Sequence, residues 1–254
     1  MTILFDRIWF MPIRKVANPL SIIICFPYGG GSASKFWLWK KLQVQADIWA
    51  LKLPGRDNRI SEPLVTSSAD LVDSIIKVLP PDSKIPFIFY GHSMGAGLSF
   101  QTILQLQKQR KLMPELLIAS GREAPHLKFH GIKIQLSDEN IVKYIQELGN
   151  RSGKISKNEE FIKQYIPKIK ADYILSHDIP VEEPTPLSLH IYIINGGEDP
   201  LVRKELLSEW QKHTLYPITS TISPGGHFFM EEYPDKFIYE IEKKINNFIA
   251  LSSG

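Results

Sequence analysis

A single serine between small residues is the first candidate for chemistry in this chain. Ser93 is the central residue of the sequence GHSMG, which directly follows an apolar run ending at Tyr90. A serine at a sharp turn from a strand into a helix is held in a strained conformation that exposes its hydroxyl. Glycines two residues away on each side let the strand and the helix pack closely. The pattern also occurs by chance, but the strand candidate before it and the helix candidate after it favour a nucleophile.

A serine hydroxyl is a weak nucleophile, so it needs a base to take its proton and an acid to orient that base. At such a turn the expected chain order is serine, acid, histidine, with the acid and the base on turns after late strands. His227 fits the base, because it follows two glycines in SPGGHFFMEEYP, between the last predicted strand and the last predicted helix. A lone histidine is more often a surface or packing residue. The other six are placed less well: His92 (inside the serine motif, predicted to point away from the hydroxyl), His126, His130, His177, His190 and His213.

The acid is expected on the turn that follows the preceding strand. LHIYIINGGEDPLV supplies Asp199, with Glu198 beside it. Asp199 is equally explained as the N-cap of a helix that opens at Pro200. The chain order alone therefore favours a catalytic role for Asp199. Asp172 and Asp178 are weaker rivals, because they belong to a helical insertion.

A tetrahedral intermediate also needs backbone N–H donors for its oxyanion. The amide of Met94, directly after the serine, is one candidate. The other should come from the glycine-rich loop CFPYGGGSAS, which follows an early strand. Tyr28 and Gly29 are both candidates there, and the sequence does not choose between them. A phosphate-binding loop is disfavoured because the Gly-Lys-Ser/Thr ending is missing.

Short apolar runs alternate with helical patterns along the chain. Alternation of this kind predicts an α/β fold with a mostly parallel central sheet and helices on both faces. The predicted strands are Ile8 to Met11, Leu20 to Phe26, Ile48 to Leu53, Ile85 to Tyr90, Leu116 to Ser120, Leu189 to Asn195 and Ser220 to Ser223. The predicted helices cover Leu71 to Leu79, Leu98 to Leu112, Leu201 to His213 and Pro234 to Ala250.

One segment, about 124–186, contains helical patterns but no strand candidate. A helix capped by Ser137 is followed by a second helical stretch that we expect Pro167 to interrupt. An all-helical insertion between two strands of such a sheet is a candidate lid; the alternative is a fixed excursion. We therefore expect a single domain over 1–254 that carries a lid insertion.

Composition narrows the function classes further. The 254 residues contain 43% hydrophobic side chains, a net charge of +3 and one cysteine. No run of basic residues indicates nucleic-acid binding, and no segment has the length of a membrane span or the character of a signal peptide. We expect a cytoplasmic monomer with Cys25 in its core. Because no cluster has metal-ligand spacing, we expect chemistry without metal or cofactor: acyl transfer from an ester or thioester to water.

Several motifs together resemble the type II (editing) thioesterases of nonribosomal peptide and polyketide synthesis, within the α/β-hydrolase fold. They are FPYGGGSAS, LPGRDNRISEP, GHSMGA, IPKIKADYIL, GGEDP and PGGHFF. The proline-glycine-arginine stretch is the most discriminating, because general hydrolase mechanics do not require it. Two positions depart from the family pattern: Gly29 stands where alanine is usual, and Lys170 where arginine is usual.

The resemblance implies an enzyme that hydrolyses aberrant or stalled acyl groups from the phosphopantetheine arm of carrier proteins, and in some systems releases intermediates or products. It implies Ser93 as nucleophile, His227 as base and Asp199 as its partner. Asp172 matches the Ala-Asp-Tyr pattern, but we assign it no catalytic role. The alternatives are an esterase or acyltransferase acting on small acyl esters and, less favoured, a non-catalytic binding subunit.

Overall fold

The computed structural model describes residues 5–80, 83–128, 134–148 and 159–252. Seven strands form one sheet in the order β1-β3-β2-β4-β5-β6-β7. The strands are β1 (Phe10–Arg14), β2 (Ser21–Phe26), β3 (Ala46–Leu51), β4 (Phe87–His92), β5 (Leu116–Ser120), β6 (His190–Gly196) and β7 (Thr219–Ser223). Only β1 runs antiparallel to its neighbour. The predicted α/β fold with a mostly parallel sheet is confirmed.

Six α-helices accompany the sheet in the described part of the chain. They are α1 (Ser68–Val78), α2 (Met94–Lys108), α3 (Asp138–Glu147), α4 (Glu159–Asp178), α5 (Phe229–Glu232) and α6 (Pro234–Ser252). The prediction of a helix ending at His213 is confirmed in place, although this segment, Lys204–His213, has 3₁₀ geometry. None of the described helices is long and apolar enough to cross a membrane.

The strands bury side chains on both faces, and alternate residues enter two different clusters. In β2, Ile22 and Ile24 pack on the side of α1 and α2, whereas Ile23 and Cys25 pack on the side of α6. Such two-sided burial is what an unbroken apolar strand requires, since no face is left for water. Cys25 is fully buried, as expected, and burial raises the pKa of its thiol.

Between β5 and β6 lie the two helices of the predicted insertion. No strand occurs among the described residues from 121 to 186. The helices pack together through Ile141, Ile145 and Ile166. The expected interruption at Pro167 is wrong, because α4 continues through this residue. A proline removes one hydrogen bond, and the burial of Ile166 and Ala171 on either side offsets that loss. Segment 149–158 and His130 lie outside the described residues.

Two buried histidines are expected to make the stability of the fold depend on pH. Burial lowers the pKa of His213 to about 4 and holds that of His92 well below 6.5. Both are therefore neutral in the folded chain, whereas the unfolded chain protonates them near pH 6.5. The folded state is favoured above that pH, and the advantage is lost as pH falls towards 4.

We expect the free energy of unfolding to fall between pH 6.5 and pH 5, and to fall less steeply in His213→Gln. The difference in slope should correspond to about one proton. Urea unfolding at several pH values measures it. His190→Gln, which removes an exposed histidine, is the control. Equal slopes for wild type and His213→Gln would contradict the prediction.

Candidate active site

Ser93 lies at the turn between β4 and α2, as predicted. Its backbone has φ 53° and ψ −116°, a conformation that residues with side chains rarely adopt. A Cβ atom at Gly91 would lie 2.2 Å from the carbonyl oxygen of Gly95, and one at Gly95 would lie 2.3 Å from that of Phe26. The two glycines are therefore required by the close approach of strand, helix and neighbouring loop.

Asp199 and His227 meet on the turns that follow β6 and β7. Asp199 Oδ2 lies 2.8 Å from His227 Nδ1, and both residues are buried. The other carboxylate oxygen accepts a hydrogen bond of 2.9 Å from the backbone N–H of Leu201. The two explanations that the sequence offered for Asp199 are therefore compatible, because one oxygen holds the local turn and the other faces the histidine. A Cβ atom at Gly196 would lie 2.1 Å from the Gly226 carbonyl, so the turns touch through glycine.

One cavity is lined by five of the six predicted site residues, and the sixth, Asp199, is hydrogen-bonded to one of them. The lining includes Ser93, Met94 and His227, together with the loop residues Tyr28 and Gly29. Ligands of α/β sheets bind at the carboxyl ends of the strands, and these residues follow β2, β4 and β7. Ser93 Oγ makes no hydrogen bond to His227 Nε2 among the described contacts. In enzymes without substrate such bonds are often long and shorten in the complex.

The glycine loop retains two candidate oxyanion donors. The amide of Gly30 donates to Asp172 Oδ2 at 2.7 Å, and that of Gly31 donates to the carbonyl of Tyr28 at 2.8 Å. Neither is available to a ligand in this arrangement. The amides of Tyr28 and Gly29 have no hydrogen-bond partner among the described residues, and both remain candidates beside Met94.

The rival acids lie in other environments. Asp178 accepts a hydrogen bond of 2.6 Å from the amide of Ser68 at the start of α1. Asp172 is paired with Arg56. Glu198 stands beside Asp199 on the same turn, where its amide donates to the Gly225 carbonyl. Of these carboxylates, only Asp199 is hydrogen-bonded to a histidine at the cavity.

His92 is a neighbour of the site that the sequence did not assign. Its Nδ1 lies 2.8 Å from Ser120 Oγ, and its ring centroid lies 4.8 Å from that of His227. Burial, and secondarily the charge of His227, lowers the pKa of His92, so its ring is neutral. Its place next to Ser93 was visible in the sequence. The contact with His227 depends on the fold.

Side chains from the helical insertion cover the cavity. They are Tyr144, Leu148, Ile169, Asp172, Tyr173, Ser176 and His177, and Phe228 completes the wall. Two of them, Tyr144 of α3 and Leu148 directly after it, follow Ile141 and Ile145 at the three- and four-residue spacing of one helical face. The periodicity indicated a buried face but not what it would cover.

The described residues provide no cluster of metal-ligating side chains. No group of three or more His, Cys, Asp or Glu residues able to hold a metal occurs in the described ranges. His126 Nδ1 and His213 Nε2 are 2.9 Å apart, and these two nitrogens are hydrogen-bonded to each other. Chemistry without a metal or cofactor stays a prediction.

The chain is similar to several known thioesterases. The model of the thioesterase domain family matches residues 21–245. The chain is 30% identical to linear gramicidin dehydrogenase LgrE of Brevibacillus parabrevis, over 97% of this chain and 95% of that protein. It is 32% identical to the medium-chain S-acyl fatty acid synthase thioesterase of Homo sapiens, over 89% and 85%. The solved structure of type II thioesterase BorB from the borrelidin biosynthetic cluster matches with a TM-score of 0.81 and 27% identity, covering 95% of this chain and 99% of that one.

Proposed function

The chain belongs to the thioesterase domain family, and we propose that it hydrolyses acyl groups from the phosphopantetheine arm of carrier proteins in nonribosomal peptide or polyketide synthesis. Its role would be editing: removal of aberrant or stalled acyl groups, with release of intermediates or products as a related use. The observation that carries the proposal is the Asp199–His227 hydrogen bond of 2.8 Å in the turns beside Ser93. The enzyme would act as a cytoplasmic monomer, with the carrier protein as its partner.

The first half of the reaction forms an acyl-enzyme. His227 Nε2 takes the proton of Ser93, whose oxygen attacks the thioester carbonyl. Asp199 holds the other ring nitrogen, so that Nε2 is the one without a proton. The negative charge that develops on the carbonyl oxygen is stabilised by the amide of Met94 and by that of Tyr28 or Gly29. When the tetrahedral intermediate collapses, the carbon–sulfur bond breaks and His227 returns the proton to the pantetheine thiol.

The second half releases the acid. Water enters the space that the thiol has left, and His227 removes its proton as it attacks the ester carbonyl of acyl-Ser93. The same amides stabilise the second oxyanion. Collapse of this intermediate frees the carboxylic acid and returns the proton to Ser93. No external cofactor is consumed, because the acyl group arrives activated as a thioester.

Features other than Ser93, His227 and Asp199 support the proposal that the substrate is bound to a carrier protein. The Pro-Gly-Arg stretch resembles that of carrier-dependent enzymes, and BorB is described as a type II thioesterase of a biosynthetic cluster. The net charge of +3 is compatible with an acidic partner, although it is small. The name of LgrE suggests hydride transfer as an alternative. The hydrogen-bonded acid and base beside Ser93 favour acyl transfer, since hydride transfer does not require a nucleophilic serine.

We expect faster hydrolysis of acetyl-phosphopantetheine on a carrier protein than of acetyl-coenzyme A at equal concentration. The two substrates share the thioester and the pantetheine, so the difference reports contacts with the carrier domain. Release of acetate is measured for both, with a simple aryl ester as a third substrate. Equal kcat/KM for both thioesters would indicate a general thioesterase that does not recognise the carrier domain. Hydrolysis of the aryl ester alone would favour the esterase alternative.

A further inference from the structure

A buried carboxylate of the helical insertion reaches the glycine loop beside the candidate oxyanion donors. Asp172 lies in α4 with 1% of its side chain exposed. Its Oδ2 accepts a hydrogen bond of 2.7 Å from the backbone N–H of Gly30. Gly30 directly follows Gly29, one of the candidate donors, and a Cβ atom at Gly29 would lie 3.7 Å from that of Asp172. The position of α4 therefore bears directly on the conformation of this loop.

Arg56 completes the link from a third segment of the chain. Its guanidinium donates to both oxygens of Asp172, each at 2.8 Å, in a bidentate pair. The nitrogen that contacts Oδ2 also donates to the carbonyl of Gly31 at 2.8 Å. The glycine loop is thus held on both sides, by a carboxylate at the Gly30 amide and by a guanidinium at the Gly31 carbonyl. Both charged side chains are almost completely buried, where paired charges are held in a defined geometry.

We infer that Asp172 is a positioning residue that couples α4 to the oxyanion loop, so that the donors are aligned only while α4 covers the site. The inference rests on the proposed acyl transfer at Ser93 and goes beyond it. Displacement of α4 separates Asp172 from Gly30 and Arg56 and frees the loop. The covering of the substrate and the alignment of its oxyanion donors are then one event, which restricts hydrolysis to the covered state.

The test is the variant Asp172→Asn, together with Arg56→Met/Asp172→Leu. The first keeps the shape of the side chain and removes its charge. The second removes both charges. Removal of only one would leave a buried charge without its partner and destabilise the fold, whereas apolar replacement of the whole pair is often tolerated. We expect kcat to fall by about 10-fold to 100-fold in both variants with KM changed little, since misplaced oxyanion donors act on the transition state.

A second readout separates positioning from general stability. A boronic acid forms a tetrahedral adduct with the active-site serine and uses the oxyanion donors, whereas a substrate analogue that lacks the carbonyl group does not. The affinity for the boronic acid should fall by the same factor as kcat, and the affinity for the analogue should not. Glu62→Gln is the control for loss of an ion pair in the same segment. Glu62, with 39% of its side chain exposed, forms a bidentate pair with Arg59 at 2.7 and 2.6 Å and makes no described hydrogen bond to the glycine loop.

The outcomes are distinct. A folded double variant with wild-type kcat and boronic acid affinity would overturn the inference while leaving the proposed function intact. An equal loss in Glu62→Gln would also overturn it, since the effect would then be a general cost of breaking an ion pair. Full activity of Ser93→Ala would instead remove the proposed function. Parallel losses of kcat and boronic acid affinity, confined to the Asp172 variants, support the coupling.

Discussion

Ser93→Ala is expected to lower kcat for acyl release from a loaded carrier protein by about 10⁵-fold to 10⁶-fold, which is the scale for removal of a serine nucleophile. The reason is that no acyl-enzyme can form without the hydroxyl. The remaining activity would come from water in a cavity that still contains His227 and the oxyanion donors. Single-turnover release of acetate from the carrier protein measures the loss.

Ser99→Ala is the matched control for this substitution. Ser99 is a buried serine of α2, the helix that directly follows Ser93, and its hydroxyl donates only to the carbonyl of Ala96, at 2.9 Å, among the described contacts. It should retain wild-type kcat. A fluorophosphonate should label the wild type and Ser99→Ala but not Ser93→Ala. Labelling of Ser93→Ala, or its turnover at the wild-type rate, would show that another group is the nucleophile.

Asp199→Asn is expected to lower kcat by about 10⁴-fold, the scale known for this change in a serine triad. Asparagine can present its NH₂ group to His227 Nδ1, which must then accept a hydrogen bond. The ring proton moves to Nε2, and the base can no longer take the proton of Ser93. The fold should be affected little, because the amide oxygen can still accept from the backbone N–H of Leu201. Steady-state kinetics and thermal unfolding, measured together, test both expectations.

Asp178→Asn provides the comparison for the acid. Asp178 was a rival in the sequence, and its carboxylate instead accepts from the amide of Ser68 at the start of α1. We expect a loss of stability, of about 1 kcal/mol as for other helix caps, with kcat nearly unchanged. If Asp178→Asn lost activity and Asp199→Asn kept it, the assignment of the acid would be wrong.

The fold was predictable from short segments because its strands are buried on both faces. An unbroken run such as Ile22 to Cys25 has few alternatives to a central parallel strand. Predicted and observed strand ends differ by up to three residues, since strand ends depend on pairing with neighbours, and the helix predicted over Leu98 to Leu112 lies four residues earlier. The passage of α4 through Pro167 was not predictable from local rules, because packing of the flanking residues offsets the missing hydrogen bond.

The sequence alone determined the candidate nucleophile, base and acid. Ser93, His227 and Asp199 each stand on a turn after a strand, and the chain order of such turns is a property of the topology. It also determined that glycines flank Ser93, although the reason is visible only in three dimensions. A Cβ atom at Gly95 would contact the backbone of Phe26 and Pro27 at the end of β2, about seventy residues earlier in the chain.

Only the tertiary structure decided which distant residues meet. Of the four candidate carboxylates it placed Asp199 in a hydrogen bond with His227, it brought the ring of His92 against that of His227, and it joined Arg56 to Asp172 across 116 residues. Local sequence patterns cannot specify such contacts, because side-chain partners depend on how strands and helices pack. The residue types set what chemistry was possible, and the packing of the insertion on the sheet decided how the cavity and its glycine loop are held together.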